Sequence, residues 1–140
     1  MIKLLIILIT LGLSPQVDDQ LKYPLEKPIL RSFKTGNFST FYDISKDKIN
    51  VNLSRPFNIK GYFRIKRFID EMEEIFRHFT LDSIEWYERQ IDVDSQITTQ
   101  SLRLKLRPTN SKDTFNYQIV FMLEKKDKKW KIFYLRSLEK

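Results

Sequence analysis

Trp86, Glu88, Tyr134 and Arg136 are the residues of this sequence whose types and spacing could do chemistry together. Trp86 and Glu88 stand two apart in an extended-looking run, Leu81–Ile91, and Tyr134 and Arg136 do the same in a second, Trp130–Leu138. Residues two apart on a strand share a face. With both faces turned to an interior, Glu88 is a carboxylate among apolar groups that needs a partner, and Arg136 is the cation that could meet it. Gln90 and Gln118 would supply hydrogen bonds beside them. The four residues form a candidate ligand-binding pocket; the structural alternative for Glu88 and Arg136 is a partly buried salt bridge that locks the sheet. A slip of one residue in the first run would turn Trp86 and Glu88 outward and bring Glu85 and Tyr87 in.

The remaining chemistry is sparse. There is no cysteine, which excludes thiolate nucleophiles, thiolate metal sites and disulfides. The single histidine, His78, has Glu74 and Asp82 as its acidic neighbours in sequence, a spacing that matches no metal-ligand pattern, and no Ser-His-Asp set can be assembled around it. With glycine only at positions 12, 36 and 61, there is no glycine-rich phosphate loop. No catalytic residue, metal ligand or cofactor site is assigned. The densest charge run, Lys125-Lys126-Asp127-Lys128-Lys129 followed by Lys131, reads as a solvated hairpin tip. Its sharper reading, a contact for anionic headgroups or polymers, lacks the interleaved aromatic residues that would give a stacking platform.

These side chains must be positioned by a chain of 140 residues, 41% hydrophobic and 14% aromatic. That is one domain with a packed interior, since eleven Phe residues have to be buried somewhere. The N-terminus reads as a secretory signal over residues 1–16: Lys3 is basic, Leu4–Leu13 is apolar, and Ser14-Pro15-Gln16 breaks the run. The apolar stretch is about half the ~20 residues that a membrane-spanning helix requires. Export to a bacterial periplasm or medium is therefore expected, with no membrane span after cleavage. A formal charge of +7 invites a nucleic-acid partner, but export argues against one, and none is expected.

After a loose segment, residues 17–24, the domain is expected over residues 25–140. Short helices are read at Leu25–Lys34 and Phe38–Ile44, separated by a Thr35-Gly36-Asn37 stop, and a strand at Ile49–Leu53. Tyr62–Phe79 is the organising helix. At about 100° per residue, Ile65, Phe68, Ile69, Met72, Ile75, Phe76 and Phe79 fall on one face. Lys66–Asp70, Arg67–Glu71 and Glu73–Arg77 are spaced as ion pairs on the other. Four strands follow, Leu81–Ile91, Ile97–Arg107, Phe115–Glu124 and Trp130–Leu138. Closing the last hairpin around Asp127-Lys128 pairs Leu123 with Ile132, Phe121 with Tyr134 and Tyr117 with Leu138. The opposite face then pairs Glu124 with Lys131, Met122 with Phe133 and Val120 with Leu135. The last two pairs would make the outer sheet face half apolar, so that a homodimer through that face is a candidate assembly.

Two short helices joined at a Gly-Asn turn, a strand, a long helix and a four-stranded meander make an order that resembles the nuclear transport factor-like superfamily, which also holds the ketosteroid isomerases. The Phe33-Lys34-Thr35-Gly36-Asn37 turn, the Ile49–Leu53 strand and the Trp130-Lys131-Ile132-Phe133-Tyr134 ending resemble small exported bacterial members of unassigned function. The resemblance implies an α+β fold in which a strongly curved antiparallel sheet wraps the long helix as a cone. It is shared by enzymes, binding modules and dimerisation modules. The expected function is an exported, non-enzymatic binding or protein-interaction domain for a small hydrophobic or anionic ligand. The alternative is an acid/base enzyme of the isomerase or dehydratase type, with a carboxylate in the cone. The ketosteroid isomerase pairing of an Asp base with a Tyr oxyanion donor has no match here residue by residue.

Overall fold

From Phe79 onward the apolar residues recur with period two, and they form a sheet whose inner face carries Leu102, Leu104 and Leu106 beside Tyr117, Ile119, Phe121 and Leu123, all buried. The computed structural model describes residues 24–90 and 96–138, with the backbone alone for 88–90. The signal-like segment and nearly all of the loose segment after it lie outside the described residues.

The elements in order are α1 (Glu26–Thr35), α2 (Phe41–Ile44), β1 (Ser45–Leu53), β2 (Ile59–Arg64), α3 (Ile65–Phe76), β3 (Phe79–Gln90), β4 (Ile97–Pro108), β5 (Phe115–Lys126) and β6 (Lys129–Ser137). The sheet runs β2-β1-β6-β5-β4-β3. Only the β1–β6 pairing is parallel. With β2 and β3 left as edges, the curled sheet does not close into a barrel. This is the α+β layout expected, with the helices on one face of a single curved sheet.

The helix stripe behaves as its spacing requires. Ile65, Phe68, Ile69 and Met72 are buried, and Ile75 and Phe76 pack on the same core; Phe79, expected on the helix, instead opens β3 and reaches that core from the sheet. Its polar face keeps one of the three expected pairings, and Arg67 lies over the Phe63 ring, 5.0 Å from its centroid, instead of pairing with Glu71. Lys66 and Asp70 meet at 2.9 Å, and that hydrogen bond, with the carboxylate's charge, raises the Lys66 pKa above its ordinary value. Arg77 instead pairs with Glu74 at 2.7 Å, because Glu73 Oε2 accepts the Phe38 N–H at 3.0 Å. A part-buried backbone donor without a partner costs more than an exposed ion pair returns, so Glu73 goes to the donor. Gly36 ends α1 in the left-handed conformation (φ 74°), as the Thr35-Gly36-Asn37 stop implies.

Two expectations are corrected. The helix does not begin at Tyr62: residues 59–64 form β2, with Tyr62 opposite Asn50 and Ile59 opposite Leu53. Pairing there satisfies the backbone along β1, which helix would have left open. The last hairpin turns at Asp127-Lys128 as expected, both with positive φ. Its first pairs, Leu123–Ile132 and Glu124–Lys131, are those expected, but a β-bulge at Phe133 then shifts the register by one. Phe121 therefore faces Leu135, Met122 faces Tyr134 and Val120 faces Arg136. Ile132 and Leu135, three apart, are both fully buried, and only a bulge lets one strand turn both inward.

Candidate functional site

The four residues expected to converge do not share a surface. Trp86 is on the concave side as expected, opposite Leu102, with its ring edge-on to Phe121 at 6.3 Å between centroids. Its indole Nε1 is buried without a hydrogen-bond partner. A second bulge, at Tyr87, makes the step from Trp86 to Glu88 a single residue on β4, so Glu88 is registered with Ser101 instead of the inward-facing Gln100. The Glu88 side chain lies outside the described residues. Tyr134 and Arg136 follow the shifted register onto the outer face, where Arg136 is exposed. Glu88, Ser101, Val120 and Arg136 occupy one row across four strands. Three strand spacings, about 14 Å, separate the ends of that row, which rules out the expected salt bridge in this register. Leu135, expected on the outer face, is fully buried inside.

The concave side is filled. Phe33, Phe38, Phe41, Phe57, Phe68 and Phe76 form a chain of ring contacts with centroids 5.1–6.1 Å apart where they touch, and Phe121 joins it through Phe33. Among the described residues the buried polar side chains are Ser32, Ser45, Thr98, Gln100 and Ser101, none of them ionisable. Gln100 donates to the Pro24 carbonyl at 2.9 Å, while its Oε1 is buried and unpartnered.

Open volume with charge lies outside the cone, around the β1–β2 connection. That connection is held from several sides. The Ser54 N–H donates to Ser137 Oγ at 2.9 Å, the Tyr117 hydroxyl donates to the Ser54 carbonyl at 2.9 Å, and the Phe57 and Asn58 amides donate to the same carbonyl. Phe57 turns inward against Tyr117, Phe76 and Phe79, which anchors the loop and closes that end of the interior. Arg55, two residues earlier, is left exposed on the outside.

Two cavities flank Arg55. One, of about 340 Å³, is lined by Ser54, Arg55, Arg103, Asn116, Gln118 and Leu138, with Tyr117 at its back. The other, of about 320 Å³, is lined by Ser54, Arg55, Asn58 and Lys60. Among the described residues none lining either cavity is acidic. Arg103 is pre-placed: its guanidinium lies 3.9 Å from the Tyr87 ring centroid and 3.8 Å from Glu85. Lys60, Asn52 and Arg136 share one outer register row beside the second cavity. Guanidinium groups with amide donors at hand are the chemistry that holds a carboxylate or phosphate. Arg55 stands in the connection after β1 and Arg103 within β4, far apart in the chain. Nothing in their spacing announces that the chain brings them together.

No protein-family model matches the chain, and no curated protein is similar to it in sequence. Solved structures are similar in fold. A DUF4783 family protein from Bacteroides uniformis superposes with a TM-score of 0.60 at 16% identity, over 82% of this chain and 96% of its own. An NTF2-like protein from Cytophaga hutchinsonii gives 0.60 at 10% identity, over 91% and 98%. A provisionally named isomerase from Rhodopseudomonas palustris gives 0.59 at 12% identity, over 81% and 84%.

Proposed function

We propose that this chain, which has the nuclear transport factor-like fold, is a non-enzymatic binding module that takes a small anionic ligand against Arg55 and Arg103. One observation carries the reading: the interior is occupied by aromatic rings, while the described lining of the cavities flanking Arg55 brings cations and amides together and includes no carboxylate. An acid/base enzyme working in the cone needs an ionisable group facing open volume there; the described buried residues include no carboxylate, amine or imidazole, and their one phenol, Tyr117, is spent on the Ser54 carbonyl.

The shared chemistry is an oxyanion, from a carboxylate or a phosphate. Titration calorimetry at low ionic strength with citrate in one arm and inorganic phosphate in the other distinguishes the two. Binding of either, weakened about fivefold or more by Arg55→Gln, is the expected result. Arg55 is exposed, so the variant keeps its fold. Binding of neither anion, or binding indifferent to Arg55→Gln, overturns the proposal.

Export and pairing of two copies belong to the same reading. Export rests on the residue 1–16 pattern and is checked by N-terminal sequencing of the native protein, where a start near Val17 is expected. Pairing rests on Met122 and Tyr134, side by side on the outer face, and a monomeric mass at high concentration counts against it.

A further inference from the structure

At the opposite end of the sheet, where β1 and β6 begin, lies a wider cleft of about 780 Å³ that shares no lining residue with the cavities at Arg55. Its lysines come from one strand and a hairpin: Lys46 and Lys48 from β1, Lys126, Lys129 and Lys131 from the β5–β6 tip. The hairpin's own aromatic residue beside the lysines, Trp130, lies 5.9 Å from Lys125 Nζ and does not line the cleft, but the fold supplies two that do. Tyr42 of α2 and Tyr62 of β2 line the cleft and are 47% and 64% exposed, large apolar surfaces to leave in water. Lys48 Nζ sits 5.9 Å from the Tyr62 ring, which helps to hold that ring in place.

The lining is not uniformly basic. Asp47, Glu124 and Asp127 also face the cleft, and Lys46 is paired with Glu124. Lys131 donates to the Asp43 carbonyl, which ties α2 to the sheet beneath. Ser45 is buried and its hydroxyl has no hydrogen-bond partner. A buried hydroxyl without a partner in a cleft wall is a group that a ligand can satisfy.

We infer that this cleft binds a segment of an acidic polysaccharide. The ligand must carry negative charge for the lysines and flat apolar faces for the two rings. It must also carry hydroxyl donors, because three carboxylates line the same surface. A uronic-acid chain meets all three: its carboxylates are spaced by a sugar, its C–H faces cover tyrosine, and its hydroxyls donate to Asp and Glu. A DNA strand meets the first two, but its internal deoxyriboses carry no hydroxyl to donate to those carboxylates. The inference goes beyond the anion proposal for Arg55 and stands on separate residues.

Binding of a short oligogalacturonate at low ionic strength, against a neutral galactan of the same length and a single-stranded oligonucleotide, is the test. The uronate is expected to bind best and to weaken with added salt. Tyr62→Ala is expected to weaken it about fivefold or more, and Lys126→Gln with Lys129→Gln to weaken it and flatten its salt dependence. All three side chains are exposed, so melting temperatures should not move, and Arg55→Gln should leave this binding unchanged. No uronate binding, tighter binding of the oligonucleotide or the galactan, or indifference to Tyr62→Ala would each overturn the inference.

Discussion

Met72→Asp is expected to leave the chain without a cooperative unfolding transition at 25 °C. Met72 is 0% exposed on the inner stripe of α3, in the same core as Phe68 and Ile69. The substitution removes packing that is typically worth 2–5 kcal/mol for a buried Met. It also leaves a carboxylate with no cation beside it, at an effective cost of several kcal/mol more. Domains of this size are stable by about 5–15 kcal/mol in all, so the two losses together consume most or all of it. Circular dichroism during a thermal ramp reads the outcome. A sigmoidal melt at the temperature of the unaltered protein would mean that α3 turns this face to water, and the fold account would fail.

The second large effect is at the centre of the interior. Phe121→Ala is expected to cost about 3–5 kcal/mol, read as a lower denaturation midpoint with an unchanged slope. Phe121 is 0% exposed on β5, with Phe33 of α1 at 6.1 Å and Trp86 of β3 at 6.3 Å between ring centroids. It bridges helix to sheet where a ligand would otherwise sit. If the concave side were an open pocket in solution, its lining ring would already face water and truncation would cost well under 1 kcal/mol. That smaller loss would reopen the enzyme reading.

Much of this architecture was legible because burial imposes simple periods. The α3 stripe repeats every three to four residues and the β4 leucines every two, so the faces of both elements follow from spacing alone. The hairpin turn was legible as well, since a polar pair at the tip fixes its closure. The bulges were not. Trp130, Ile132 and Tyr134 make an unbroken alternation, and so do Phe133 and Leu135. Which of the two alternations is inward changes at Phe133, according to what α1–α3 leave room for. The same holds at Tyr87. Each bulge flips every residue beyond it, so Tyr134, Arg136 and the register of Glu88 were misplaced together while Trp86 was not. β2 was not legible because its last residues run straight into the helical stripe at Ile65, although Ile59 and Phe63 share the period of an edge strand. The site at Arg55 was illegible for another reason: Arg55 shares one cavity with Arg103, from the middle of β4, and the other with Lys60, from the start of β2, and no local pattern encodes that.

The central claim is that recognition occurs outside a filled cone. The most direct measurement is a ¹H–¹⁵N NMR titration with whichever of citrate or phosphate binds, following all amides and the Trp86 indole N–H. The account predicts shifts confined to residues around Arg55, Lys60, Arg103 and Gln118, with the Trp86 indole and the Gln100 side-chain amide unmoved. Shifts centred on Trp86 and Gln100, with Arg55 and its neighbours silent, would place the ligand inside the cone and contradict the account.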